Sequence, residues 1–301
     1  MPSPESCGIL NLNKPKGITS RRVVDRVHRL VRPAAAGHAG TLDPLATGVL
    51  VVGIGRATRL MEYVQRMPKH YRAGFRLGFT SDTDDVEGQI ERVEVLRPPA
   101  RAVIEEALAD FIGEIEQRPP AFSAVRVGGR RAYQRARRGE SVDLKPRRVH
   151  VYDLKLVAFE YPSFELEIRC GRGTYVRAIG RDLGAKLGCG AVMESLVRTA
   201  IGTFRVEDAV EPMNLTRESL SDWLLPPTRA VEALTNLTLA PDAIRRLAQG
   251  QPVSAPAVLP PETDEVAVLS EDGDLTAIAR YDSPCGTLIP KLVLFGFGGG
   301  R

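Results

Sequence analysis

The 301-residue chain lacks the features that announce a metal site, a disulfide framework or a membrane span. It holds four cysteines, Cys7, Cys170, Cys189 and Cys285, and no two sit at the spacing of a zinc knuckle or a redox pair. A chain of this length needs no disulfide staples, so reduced and mostly buried thiols are expected. The four histidines, His28, His38, His70 and His150, show no metal-ligand spacing either. The expectation is therefore a protein with no metal and no cofactor. No apolar run is long enough to span a bilayer, and residues 1–5 lack the basic flank and apolar core of a signal peptide. A cytoplasmic location without a membrane partner follows as the expectation.

Two near-motifs also fall short. Gly53-Ile54-Gly55 lacks the third glycine of a dinucleotide fingerprint and reads as a strand-to-helix turn. Asp82-Thr83-Asp84-Asp85-Val86-Glu87-Gly88 lacks the loop spacing and terminal bidentate glutamate of a calcium site and reads as an acidic turn.

What is present is a globular composition, 43% hydrophobic and 26% charged, enough for one large domain or two ordinary ones. The net charge of +4 is mild, but its distribution is uneven. Residues 118–148 carry nine arginines and Lys145 against only Glu140 and Asp143, a net of +8, so the remainder is net acidic. Phe122 and Tyr133 are interleaved with these cations, a combination suited to phosphates on the guanidinium groups and bases or riboses on the rings. RNA is the favoured partner. Pro119-Pro120 and Gly128-Gly129 make the segment a long excursion from the core rather than a regular element.

Periodicity predicts an α/β chain. Ser20 opens a helix whose apolar positions are Val23, Val24, Val27, Leu30 and Val31, ended by Pro33. Val49–Val52 is a short buried strand, residues 58–66 read as helix, and Tyr71–Leu77 alternates as a strand. Arg101–Gln117 predicts one amphipathic helix through Ile104, Leu108, Phe111 and Ile115. Phe164, Leu166, Ile168 and Cys170 alternate along a strand, after which Gly171-Arg172-Gly173-Thr174 turns into a helix with Tyr175 and Arg177 in its first turn. Beyond Pro226-Pro227 a short helix at 241–249 and strands at 266–269, 275–281 and 288–294 predict a small, mostly β module. The boundary falls near residue 229.

The most informative stretch is Gly37-His38-Ala39-Gly40-Thr41-Leu42-Asp43-Pro44-Leu45-Ala46-Thr47-Gly48. Glycines permit a tight path and close approach of a ligand, and Pro44 fixes one dihedral beside the acid. A carboxylate displayed from such a loop can serve as nucleophile or base. These twelve residues closely resemble the catalytic motif of the TruB family of pseudouridine synthases. The likeness continues in order through residues 9–204. Ile9–Thr19 resembles the family's opening strand and Lys-Pro-x-Gly turn, and Lys69-His70-Tyr71-Arg72 the segment whose tyrosine meets the target base. Ser123–Tyr133 is similar to the start of an RNA-gripping insertion. Gly173-Thr174-Tyr175-Val176-Arg177 resembles the motif that brings a tyrosine and an arginine to the site, and Leu196-Val197-Arg198-Thr199 the segment whose leucine lines the pocket.

The resemblance implies a pseudouridine-synthase fold, with a mixed central β-sheet flanked by helices and a PUA-like C-terminal RNA-binding domain. The corresponding domains are 1–228, with its basic insertion at about 118–150, and 229–301. It implies a monomeric tRNA pseudouridine synthase that isomerises the T-loop uridine at tRNA position 55 without a guide RNA. Asp43 is then the catalytic residue, either nucleophile or base, Arg177 its ion-pair partner, and Tyr71 a stacking partner for the flipped uracil with a hydroxyl available for proton transfer. Tyr175 and Leu196 line the pocket. His38 occupies space beside the flipped base or is a core histidine. Arg126, Arg130, Arg131, Arg137 and Arg138 contact the RNA backbone.

Overall fold

The computed structural model describes residues 7–122, 126–127, 130–131 and 144–294. The strands of its first part, in chain order, are β1 (Gly8–Lys14), β2 (Ala36–His38), β3 (Thr47–Ile54), β4 (Lys69–Leu77), β5 (Phe79–Ser81), β6 (Ile90–Arg92) and β7 (Gly113–Gln117). They continue with β8 (Arg126–Val127), β9 (Arg130–Arg131), β10 (Arg147–Glu160), β11 (Ser163–Cys170), β12 (Ala191–Ile201) and β13 (Phe204–Arg205). The C-terminal strands are β14 (Thr235–Thr238), β15 (Val253–Ser254), β16 (Glu265–Leu269), β17 (Leu275–Asp282) and β18 (Thr287–Val293). The described α-helices are α1 (Ser20–Val31), α2 (Met61–Arg66), α3 (Arg101–Leu108), α4 (Val176–Lys186) and α5 (Pro241–Ala248).

A nine-stranded sheet runs β1-β3-β12-β4-β11-β10-β7, with β2 paired to β3 and β13 to β12. Alternation along β4 and β11 turns Ala73, Phe75, Leu166 and Ile168 to one face, where Ile104 of α3 and Ile179 and Leu183 of α4 cover them. The Phe75 and Phe164 rings stack at 5.1 Å on that face. At the other end of the sheet β1 and β3 are buried on both sides, which explains the unbroken apolar run Val49-Leu50-Val51-Val52. Leu10, Leu50 and Val52 pack under Val23, Val24 and Val27 of α1. Ile9, Val49 and Val51 share a core with Ala267, Leu275 and Ile278 of the second sheet, whose order is β14-β16-β17-β18-β15. A mixed sheet flanked by helices and a C-terminal β domain are the predicted architecture.

The predicted helix over 101–117 is a correction. α3 stops at Leu108, a single 3-10 turn follows, and Gly113 takes φ +96°. A side chain rarely adopts that backbone conformation, so the helix cannot continue through it. Beyond it the chain runs as β7, antiparallel to β10 from Gly113↔Val151 to Gln117↔Arg147. The basic excursion thus leaves from one strand of this pair and returns into the other.

The feature that creates a site is a weak seam. β3 and β12 are parallel and share only two register pairs, Val197↔Thr47 and Arg198↔Gly48. The two halves of the sheet therefore separate on either side of this junction, and a cavity of about 420 Å³ opens there, with walls from both halves.

Candidate active site

Asp43 sits in the loop between β2 and β3, and that loop is tied down almost residue by residue. Ala39 N–H donates to Val51 O at 2.9 Å, and the Arg198 guanidinium donates to Gly40 O at 3.2 Å. The Ser20 hydroxyl donates to Leu42 O and accepts from Leu42 N–H, at 3.1 and 2.9 Å. Gly17 N–H donates to Pro44 O at 2.8 Å, and Ala46 N–H to Asp43 O at 3.1 Å. Leu42, Leu45 and Ala46 drive their side chains into the main core. The carboxylate is left facing outward, its side chain 37% exposed. Beneath it lies Lys14, from the Lys-Pro-x-Gly turn, fully buried with Nζ donating to Pro15 O, Ile18 O and Pro44 O. Burial lowers the Lys14 ammonium to about 8, against the pull of Asp43.

The seam itself is locked by Arg198, 2% exposed, whose Nε donates to Val49 O at 2.7 Å. Gly48, φ +96°, lies against it so closely that a Cβ would stand 2.2 Å from the Arg198 carbonyl oxygen. Arg198 pairs with Tyr71 across β12 and β4, and its guanidinium beside the phenol partly offsets the burial that pushes the Tyr71 hydroxyl up.

Arg177 comes from the first turn of α4. Its Nη2 ion-pairs with Asp43 at 3.0 Å and its Nη1 with Asp85 at 3.2 Å. Nη1 also donates to Thr83 O at 2.7 Å, and Nη2 to Phe122 O at 3.1 Å. Four acceptors on three segments thus fix one guanidinium. Asp85 in turn accepts from the Thr83 hydroxyl at 2.6 Å and from Glu87 N–H at 3.0 Å. Burial raises the Asp43 carboxyl above the ordinary range, Arg177 and Lys14 oppose that, and the negative charge of Asp85 adds to it.

Tyr175 is the residue before α4 and carries no side-chain cap. Gln117, 2% exposed at the end of β7, supplies one from outside: Tyr175 N–H donates to its Oε1 at 3.0 Å and its Nε2 donates to Tyr175 O at 3.2 Å.

His38, Asp43, Tyr71, Tyr175, Arg177 and Leu196, all anticipated from sequence, line the one cavity. Of the predicted RNA-contacting arginines, Arg126, Arg130 and Arg131 belong to the β8–β9 hairpin, where the backbone alone is described. Arg137 and Arg138 lie outside the described residues. Asp85, Arg198, Gln117 and the buried lysines Lys14 and Lys69 have no role assigned from sequence, though Lys14, Lys69 and Arg198 lie within the family-like motifs. Lys69 also lines the cavity and is lowered to about 8 by burial and by the charge of Arg198. Among the described residues, no group of three or more His, Cys, Asp or Glu side chains is placed to hold a metal ion. No described helix is long and apolar enough to cross a membrane.

Known proteins share the sequence pattern and the fold of this chain. The family model of the TruB family pseudouridylate synthase N-terminal domain matches residues 28–176. That of the tRNA pseudouridylate synthase B C-terminal domain matches 177–234. A curated relative, tRNA pseudouridine synthase B of Dehalococcoides mccartyi, is 40% identical over 280 residues, covering 92% of this chain and 93% of its own length. The tRNA pseudouridine synthase B of Gloeothece citriformis is 40% identical over 299 residues, covering 95% and 97%. Among solved structures, a chain of a Cbf5-Nop10-Gar1 complex aligns with TM-score 0.73 at 24% identity, covering 96% of this chain and 85% of its own. A chain of an H/ACA RNP bound to a substrate RNA containing 2′-deoxyuridine aligns with TM-score 0.74 at 23% identity, covering 97% and 86%. Those two likenesses speak for the fold alone. On its sequence relationships, the chain belongs to the TruB family of pseudouridylate synthases.

Proposed function

We propose that this chain is a stand-alone tRNA pseudouridine synthase that isomerises the T-loop uridine at tRNA position 55, with Asp43 as the reacting carboxylate. One observation carries the reading. Asp43, held by Arg177 at 3.0 Å, forms part of the wall of a cavity whose remaining walls include Tyr71, Tyr175 and Leu196. That is an ionised oxygen nucleophile or base in a partly apolar, aromatic-sided enclosure the size of a nucleoside.

Pseudouridine formation moves one bond. The C1′–N1 bond breaks with its electron pair going to N1, the detached uracil turns, and C5 bonds to C1′. C5 then gives up its proton and N1 gains one, so the product is an isomer and no oxidant or reductant is consumed. Asp43 assists departure of the base either by attacking a carbon or by removing the C2′ proton to give a glycal; the same carboxylate serves both routes. Arg177 keeps it ionised and fixes its rotamer. Tyr71 stacks on the uracil, and its hydroxyl, which burial keeps protonated at neutral pH, takes part in proton transfer. Tyr175 and Leu196 retain the free base while it turns, and His38 fills the space beside it.

A stacked T-loop uridine must be extruded first, at a cost of a few kcal/mol. Phosphate contacts from the 118–150 insertion, Arg126, Arg130, Arg131, Arg137 and Arg138 among them, offset that cost, and the T-stem-loop is read largely by shape. We assign residues 1–228 to the catalytic domain and 229–301 to a PUA-like RNA-binding domain, in a monomeric cytoplasmic enzyme. The names of the 40%-identical relatives favour stand-alone action over guide dependence.

The test is incubation of the purified protein, alone, with an unmodified T-stem-loop transcript carrying a C5-tritiated target uridine. Tritium release with pseudouridine mapped to that position is expected. Binding without release, or release only on addition of a guide RNA, overturns the proposal.

A further inference from the structure

A second cavity, of about 310 Å³, adjoins the first along two walls. Gln65 lines the Asp43 cavity and its neighbour Arg66 the second, while Gly171 and Arg172 line both. The remaining lining includes Arg148, His150, Tyr152 and Glu114. Tyr152 is 41% exposed, which is a large aromatic surface to leave in water beside an active cleft. Its position is fixed from several sides. The His150 ring lies 4.7 Å from it, and the Arg169 guanidinium covers it at 5.2 Å. Gly171 N–H donates to His150 O at 2.8 Å, and a Cβ on Gly171 would stand 3.4 Å from the Tyr152 hydroxyl.

The charges around these rings are mostly positive. Arg148 is paired with Glu114 at 3.2 Å, and Arg66 with Glu62 and Glu265 at 3.8 and 3.5 Å. Arg172, at the shared wall, is exposed, and among the described residues no carboxylate lies within ion-pairing distance of it. A preformed aromatic surface beside a guanidinium with no carboxylate partner among the described residues is the combination that single-stranded nucleotides use: a base on the ring and a phosphate on the cation. The distance between the two cavities is set by a shared wall of two residues, so an occupant of the second is the immediate neighbour of an occupant of the first.

We propose that this second cavity is a subsite for one nucleotide flanking the target uridine, its base against Tyr152 and its phosphate on Arg172. The inference rests on the uridine-isomerising reading of the first cavity. It gives the enzyme a hold on the strand next to the flipped base, where extrusion loosens the loop.

The experiment compares binding and single-turnover conversion of three T-stem-loops: intact, abasic at the 5′ neighbour of the target, and abasic at the 3′ neighbour. Wild-type protein is expected to bind one abasic loop about tenfold more weakly than the intact loop, the scale of one base–aromatic stack. Tyr152→Ala is expected to weaken the intact loop similarly and to be nearly indifferent to the same abasic change. Tyr152→Phe is expected to restore the wild-type pattern, and Arg172→Ala to weaken all three loops alike. Equal abasic penalties in wild type and Tyr152→Ala, or no penalty at either neighbour, overturn the subsite while leaving conversion of the intact loop in place. Failure of wild type to convert the intact loop removes the proposed function, and the subsite with it.

Discussion

Asp43 is asked to hold a charge that its surroundings only partly support. Burial pushes its carboxyl up, and Arg177 and Lys14 pull it back without cancelling the shift. A carboxyl raised in the folded state binds its proton more tightly than the unfolded chain does. Its contribution to stability is therefore fully present below the unfolded value of about 3.9 and is lost as pH rises through the raised folded value. At neutral pH the ionised Asp43 is thus a cost to the fold that function requires. The same shift sets the acid limb of activity. The single-turnover rate should fall on acidification with a midpoint above about 4, the ordinary carboxylate range, with Arg177, Asp85, Glu87 and Lys14 as the facing charges. A pH profile of tritium release checks this, and a midpoint at or below that value contradicts it. Asp43 and Arg177 were both readable in the sequence because each lies in a compact motif. Asp85 was not. It reads as one of several acids in a turn until the chain folds, and Asp85 then bridges Met193 of β12 and pairs with Arg177 of α4, contacts that no local pattern encodes.

Elements position the site through a few contacts that local propensity cannot foresee. Helix α1 and strands β4 and β11 follow from periodicity, because each has one buried and one open face. Residues 113–117 defeated the same reasoning. Ile115 continues the helical spacing of α3, but Gly113 breaks the helix and β10 offers a strand edge. That strand delivers Gln117 to Tyr175. Gln117→Glu keeps the acceptor and loses the donor, leaving Tyr175 O facing a carboxylate. The expected result is a fall in kcat of about tenfold or more with tRNA affinity unchanged, and a stability loss of about 1–3 kcal/mol for the unmet buried group. Equal losses in kcat and affinity would mean that the pair serves folding alone. Gly48 tests the seam. Alanine there combines a strained positive φ with a Cβ 2.2 Å from the Arg198 carbonyl oxygen. Destabilisation of roughly 3 kcal/mol or more is expected in denaturant unfolding, and a change under about 1 kcal/mol would show that the seam yields easily.

The molecule's two large sheets share an apolar core where they meet, with a cleft at the parallel seam of the larger one and a basic excursion leaving from the β7–β10 pair. The order of the elements and the C-terminal strands were legible as runs of alternating residues. The seam was not, since which strands meet in parallel depends on how the two halves come together in space. Charge at this scale is carried by the excursion. Replacing Arg130, Arg131, Arg137 and Arg138 together with alanine should weaken tRNA binding and reduce the salt slope by up to about 0.9 for each duplex phosphate that is no longer neutralised. Titrations at several salt concentrations check it, and an unchanged slope would mean that these arginines face solvent rather than RNA.

The measurement closest to the central claim is single-turnover tritium release from the T-stem-loop by wild-type protein and Asp43→Asn, with RNA affinity measured in parallel. Asparagine keeps the size and the loop but can neither attack a carbon as an anion nor accept the C2′ proton. Affinity within about twofold of wild type and a rate lowered at least about a thousandfold are predicted. Conversion within about tenfold of wild type would contradict Asp43 as the reacting group.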